Sequence, residues 1–133
     1  MGFVIGIALA LAVGLLARLV RLDRDRALYP VAMIVIASYY ILFAVLGGSA
    51  YALILETLVA VLFVALALWS FKSSLWLVAA ALAAHGIFDL IHGAFITNPG
   101  VPDWWPSFCL AYDVTAAGYL AWLLTAGRMR AGA

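Results

Sequence analysis

Five ionisable side chains interrupt otherwise apolar segments of this sequence: Glu56, His85, Asp89, His92 and Asp113. An ionisable residue at the centre of a lipid-buried helix costs about 2.5–3.5 kcal/mol even on a lenient scale, so such residues are functional by default. Three of them follow the pattern His85-x-x-x-Asp89-x-x-His92, which places them within about 60° of arc on one helix face. The pattern predicts a buried polar site.

Imidazole and carboxylate groups together can bind a transition metal, and two histidines with one carboxylate leave positions open for substrate. We therefore predict a zinc, iron or copper site with His85, Asp89 and His92 as its core ligands. Glu56 and Asp113 are predicted as further ligands or as acid–base groups, and Glu56, Asp89 and Asp113 are the candidate catalytic residues. The spacing differs from the standard zinc-protease motif HExxH.

The same residues permit other interpretations. Without metal, a protonated acid and a nearby base could shift a double bond or start a cyclisation in a lipid-soluble substrate. A proton or ion relay is a further alternative, but the helices offer almost no polar path below His85, so a pocket open toward the outer leaflet fits better. A purely structural polar core is the least specific alternative. Tyr39 and Tyr40 add hydroxyls in the second apolar segment, and Asn98 is expected to be a turn residue.

The composition requires a membrane environment for these residues. Of the 133 residues, 69% are hydrophobic and 10% are charged, whereas soluble domains carry about 45–50% apolar and about 25% charged residues. A span needs about 20 largely apolar residues. The sequence predicts an all-α integral membrane protein, one domain over residues 1–133, with five transmembrane helices in a compact bundle at about 2–20, 30–46, 50–69, 75–96 and 106–126.

The basic residues predict the orientation of the bundle. With five spans, every Lys and Arg falls on one side: Arg18, Arg21, Arg24, Arg26, Lys72, Arg128 and Arg130. Because basic residues are retained in the cytoplasm during insertion, we expect the N-terminus outside and the C-terminus cytoplasmic. Counting from the outer ends, Glu56, Asp89 and Asp113 all lie about 9–10 Å deep, so we expect them to meet.

Small residues recur every four positions in the first span, at Gly2, Gly6, Ala10 and Gly14. Such a stripe allows close helix approach, either within the chain or in a homo-oligomer. The expected partners are therefore membrane lipid, a hydrophobic small-molecule substrate and a second copy of the chain. No nucleic-acid partner is expected.

The segments HGIFDLIH (residues 85–92) and VPDWWPSFCLAYD (residues 101–113) resemble a family of small multi-span bacterial membrane proteins of unassigned function. This resemblance covers the C-terminal half and implies fold and site, but no reaction. A weaker similarity, in His85-x-x-x-Asp89 plus an acid on another span, is to the emopamil-binding sterol-isomerase family, from which no catalytic role is carried over.

Taken together, these features predict a metal-dependent enzyme that acts on a lipid or other hydrophobic substrate at a site facing the outer leaflet. The first alternative is a metal-free isomerase or cyclase of an isoprenoid-like substrate. The second is a non-catalytic binding or accessory membrane subunit, against which the short loops count because they offer little surface for docking.

Overall fold

Each apolar segment of the sequence forms one long helix. A computed structural model describes residues 1–133 and contains the helices α1 (Gly2–Leu19), α2 (Leu28–Leu46), α3 (Ala50–Lys72), α4 (Leu75–Phe95) and α5 (Trp105–Thr125). All five are long and apolar enough to cross a membrane. The predicted all-α, five-helix membrane bundle is confirmed.

Two helix boundaries differ from the predicted ones by more than one residue. Helix α2 begins at Leu28, so Pro30 is its third residue rather than its first. The first four backbone N–H groups of a helix have no partner within the helix, so a proline there removes no hydrogen bond. Helix α3 continues to Lys72, three residues beyond the predicted end. A cation in the last turn interacts favourably with the negative end of the helix dipole.

The helices pack around α4 and α5. Helix α5 lies between α1 and α4, whereas α2 pairs with α3, and α4 contacts both α2 and α3. Met33, Leu82 and Leu120 are completely buried where these helices meet. Large apolar side chains remain exposed on the outside of every helix, as expected for a surface solvated by lipid.

The small-residue stripe of α1 packs against α5 of the same chain. A Cβ atom added at Gly6 would lie 2.5 Å from the backbone oxygen of Phe108 and 3.0 Å from the Cβ of Ala111. Ala10 and Gly14 are likewise buried. Of the two predicted uses of this stripe, packing within the chain is therefore the one observed. A contact between two copies through the stripe would have to displace α5.

The seven basic residues lie at one end of the bundle. Helices α1, α3 and α5 end there, α2 and α4 begin there, and a short 3-10 turn, Leu22–Asp25, joins α1 to α2. The loop at residues 96–104 lies at the opposite end, between α4 and α5. The two ends therefore differ strongly in charge, as the sequence predicted.

Candidate functional site

All five predicted site residues are buried side by side, between the middle of the bundle and the end away from the arginines. Their exposed fractions are 1% for Glu56, 1% for His85, 1% for Asp89, 3% for His92 and 0% for Asp113. Glu56 comes from α3, Asp113 from α5 and the other three from α4. Both outlying acids form hydrogen bonds with the histidine face of α4, which confirms the predicted contacts.

One part of the site is centred on His85. Its Nδ1 lies 2.8 Å from Asp113 Oδ2, within a hydrogen bond, and 3.5 Å from Asp89 Oδ2. One ligand atom from each of these three residues lies within 4.8 Å of the others, which is close enough for one metal ion. We call His85, Asp89 and Asp113 the His85 group.

The second part pairs His92 with Glu56. His92 Nε2 lies 2.7 Å from Glu56 Oε1, and the same oxygen accepts a hydrogen bond of 2.9 Å from the side-chain amide of Asn98. Asn98 also donates to the backbone oxygen of Tyr40 at 3.1 Å. The predicted turn residue thus also reaches into the polar core, a role that its position in an Asn-Pro-Gly turn did not reveal.

Tyr40 connects the two parts. Its hydroxyl donates a hydrogen bond of 2.6 Å to Asp89 Oδ1, and its ring stacks on His92 with a centroid distance of 4.1 Å. Phe63 contacts the ring of His85 edge-on at 4.8 Å, and Phe88 contacts His92 at 5.5 Å. The aromatic rings fix both imidazoles. The sequence signalled Tyr40 only as one of two adjacent hydroxyl-bearing residues.

The structure therefore divides the predicted five-residue metal set. His92 belongs to the pair with Glu56, and the group that could share one ion contains His85 with Asp89 and Asp113. The reason is distance along α4, because seven residues correspond to about 10.5 Å of helix. Residues so far apart share a face without sharing a single ion.

Charge is unbalanced within this cluster. It holds three carboxyl groups and two imidazoles, and the basic residues all lie at the other end of the bundle. Asp89 Oδ2 and Asp113 Oδ1 are buried and accept no hydrogen bond. Buried carboxylates are costly without hydrogen bonds or a counter-charge, so the His85 group requires protons or a cation.

Close packing of α4 on α5 positions this group. A Cβ atom at Gly86 would lie 3.2 Å from the Cβ of Asp113 and 3.3 Å from the backbone oxygen of Leu110. The missing side chain at Gly86 lets Asp113 approach the neighbouring His85. Gly93, the second glycine beside a histidine, faces open space and has no such role.

An apolar cavity of about 660 Å³ lies beside the polar cluster, between α1, α2 and α5. Exposed side chains such as Ile5, Val31 and Val35 line it, so it opens onto the surface that lipid covers. Trp105 and Cys109 form its inner wall and pack against Tyr40, whose hydroxyl binds Asp89. A layer one side chain thick therefore separates the cavity from the cluster.

Replacing Tyr40 with Phe should lower the free energy of unfolding by about 1.5–3 kcal/mol, because Asp89 would lose its only hydrogen-bond donor while staying buried. Tyr39→Phe is the matched control, since the Tyr39 hydroxyl makes no hydrogen bond within the chain and its side chain is exposed. Equilibrium unfolding in mixed detergent micelles measures the free energy of unfolding of both variants. Equal losses in the two variants would contradict a specific role for the Tyr40 hydroxyl.

The fold and the cluster define an integral membrane protein with a buried centre of histidines and carboxyl groups. Comparisons with family models, with curated proteins and with solved structures find no match to this chain.

Proposed function

We propose that this protein is a membrane-embedded, metal-dependent enzyme acting on a lipid or other hydrophobic substrate. The observation that carries the proposal is the His85 group, in which three potential ligand atoms lie within 4.8 Å of one another. Two of its carboxyl oxygens, on Asp89 and Asp113, are buried without a hydrogen-bond partner. A zinc, iron or copper ion would supply the missing positive charge and accept imidazole and carboxylate ligands.

The remaining residues fit supporting roles. In this proposal, His85, Asp89 and Asp113 would hold the metal, which would supply a Lewis acid for a substrate oxygen or for bound water. Glu56 and His92 form a hydrogen-bonded pair one helical turn beyond Asp89 and can accept or donate a proton. Tyr40 orients Asp89 through its hydrogen bond, as the outer partners of metal ligands commonly do.

The apolar cavity supports a hydrophobic substrate. Its lining is almost entirely apolar, and its size of about 660 Å³ suits a drug-sized molecule or part of a lipid chain. The indole N–H of Trp105, in the inner wall, is buried without a partner and could donate to an oxygen on the substrate. Movement of the Tyr40, Trp105 and Cys109 layer would bring such a substrate to the His85 group.

The same proposal includes an orientation and a location. Seven basic residues at one end favour a cytoplasmic position for that end, which places the His85 group nearer the outer leaflet. We propose the bacterial cytoplasmic membrane as the location, with the N-terminus outside.

Metal analysis tests the proposal directly. Protein purified without chelator and then supplied with zinc, iron or copper should bind about one ion per chain, measured by elemental analysis after desalting. Excess metal at 100 times its Kd should stabilise the fold by about 2.7 kcal/mol. His85→Ala and Asp113→Asn should abolish both effects, because each removes a ligand.

The double variant Glu56→Leu/His92→Leu is the matched control for metal binding. It removes one histidine and one acid from the same cluster but leaves the His85 group intact. It should retain the ion. If this control variant loses as much bound metal as His85→Ala does, the metal site is not confined to the His85 group.

A metal-free acid–base isomerase or cyclase of an isoprenoid-like substrate is the second candidate. The observation in its favour is that His85 already forms a hydrogen bond with Asp113, while Tyr40 forms one with Asp89. These groups could hold and pass protons without an ion. If none of the three metals binds or stabilises the wild-type protein, the metal proposal fails and this candidate replaces it.

A further inference from the structure

A second cavity lies at the basic end of the bundle, remote from the His85 group. Its volume is about 320 Å³, and five arginines line it together with Asp23 and Met129: Arg18, Arg24, Arg26, Arg128 and Arg130. They come from the last turn of α1, the 3-10 turn that follows it and the segment after α5. Three separate parts of the chain therefore contribute cations to one concave surface.

Hydrogen bonds hold these segments together. Arg18 donates to Asp23 Oδ2 at 3.1 Å and to the backbone oxygen of Arg128 at 3.2 Å. Arg26 donates to the backbone oxygens of Ser73 at 3.4 Å and Ala131 at 3.0 Å. The cavity is therefore built by specific contacts of the C-terminal segment.

The C-terminal segment is also fixed through its backbone. Residue Leu75 donates its backbone N–H to Ala131 at 2.8 Å, and Ala133 donates to Ser73 at 3.1 Å. An isolated β-bridge joins Ser74 and Gly132 in the same place. These bonds hold the segment that carries Arg128 and Arg130 against the start of α4.

The charges in this cavity are not neutralised by the chain. Asp23 is the single acidic lining residue, and it is already paired with Arg18. Arg24, Arg128 and Arg130 donate no side-chain hydrogen bond to any other residue, and all three are exposed. The guanidinium of Arg128 lies over the Trp122 ring, 5.4 Å from its centroid, and this ring carries no neutralising charge. Like charges brought together repel one another, so an anion in the cavity would stabilise this arrangement.

Orientation in the membrane accounts for basic residues at this end but not for their arrangement. The positive-inside rule treats lysine and arginine alike and requires no convergence. Here every basic lining residue is arginine, whereas Lys72 lies outside the cavity. The planar guanidinium matches the oxygens of a phosphate in a two-point hydrogen bond, which an ammonium group cannot do.

The depth of the cavity also fits a phosphate ligand. Arg18 lies in the last turn of α1, and Arg128 follows the end of α5 by three residues. The ends of spanning helices lie at the boundary between hydrocarbon and headgroups. The cavity therefore lies at the level where lipid phosphates occur and remains open to soluble anions.

We propose that this arginine cavity binds a phosphate group, carried either by an anionic lipid headgroup or by a soluble phosphate. The proposal does not depend on the proposed enzyme function, because the cavity and the His85 group have no residue in common.

The test uses the full chain in uncharged detergent. Binding of dioctanoyl phosphatidylglycerol is measured by calorimetry, with dioctanoylglycerol as the ligand that lacks phosphate. The variant Arg24→Gln/Arg130→Gln removes two exposed cations from the cavity. Arg21→Gln/Lys72→Gln removes two positive charges from the same end but outside the cavity. Circular dichroism confirms that both variants keep their helices.

We expect the phosphatidylglycerol to bind the wild type and the outside variant alike, and the cavity variant at least about tenfold more weakly. Competition with sodium phosphate then separates the sources: displacement of the lipid at submillimolar phosphate assigns a soluble ligand, and its absence assigns the headgroup. Equal weakening in both variants, or binding of phosphatidylglycerol no tighter than that of dioctanoylglycerol, would overturn the proposal.

Discussion

Replacing His92 with Leu should lower the free energy of unfolding by about 3–5 kcal/mol. Replacing both His92 and Glu56 with Leu should recover most of this lost stability. The physical reason is that the single change removes the imidazole that lies 2.7 Å from the buried Glu56 carboxyl group and leaves the neutral amide of Asn98 as its one remaining partner. The double change removes both polar groups, and an apolar pair of similar size is often neutral or stabilising in a buried position.

A double-mutant cycle measures this coupling. The two single variants, the double variant and the wild type are unfolded in mixed detergent micelles under identical conditions. The interaction energy should be well above the scatter of about 0.3–0.5 kcal/mol that independent sites show. Asn98 keeps an acceptor in all four proteins, because it also donates to the backbone oxygen of Tyr40. Additive losses would show that the two side chains act independently, contrary to the observed pairing.

The second large effect is expected at Gly100, where Gly→Ala should cost about 3 kcal/mol, the upper part of the range for overpacking. A Cβ atom at this position would overlap the backbone oxygen of Phe43 in α2, and it would also lie 2.9 Å from the backbone nitrogen of Gly47 at the end of the same helix. Neither backbone can move as a flexible side chain can. The loop at residues 96–104 would have to lift away from α2 and would take Asn98 with it.

Displacement of Asn98 makes this prediction specific. In the wild type, Asn98→Ala should destabilise the protein, because Glu56 and the backbone oxygen of Tyr40 lose a donor. In the Gly100→Ala background the same change should cost little, since the amide has already left. Gly93→Ala is the control, because open space surrounds that glycine. If Asn98→Ala lowers the free energy of unfolding by the same amount in the wild type and in Gly100→Ala, Gly100 is not what allows the loop to dock on α2.

Much of this fold could be predicted from local sequence. Five apolar runs separated by short polar breaks require five spanning helices, because backbone polar groups in lipid must be satisfied within each helix. The helical period placed His85, Asp89 and His92 on one face. The cost of charge in lipid marked Glu56 and Asp113 as candidates, and their common depth with Asp89 predicted that they belong to the same buried site.

Two helix boundaries lie two or three residues from their predicted positions. Helix α2 begins before Pro30, and α3 runs to Lys72, because propensity near a helix end is a weak constraint that contacts between helices override. These shifts change the loops and not the site.

What only the tertiary structure decided is how the site residues pair. The period of a helix gives the face of each side chain, but the rotation and depth of the neighbouring helices decide which groups touch. Close approach at Gly86 brings Asp113 to His85, while α3 delivers Glu56 to His92. The predicted ligand set therefore separates into a group of three and a pair.

Tyr40, Asn98 and the arginine cavity depend on the same physical fact. Their contacts join residues far apart in the chain: Tyr40 to Asp89, Asn98 to Glu56, and Arg26 to Ala131. Neither the helical periodicity nor the composition of a segment specifies contacts between residues so far apart in the chain. These contacts follow from helices packing side by side and from loops docking on their ends. The sequence by itself determined which residues must be buried in the membrane, and packing decided their partners.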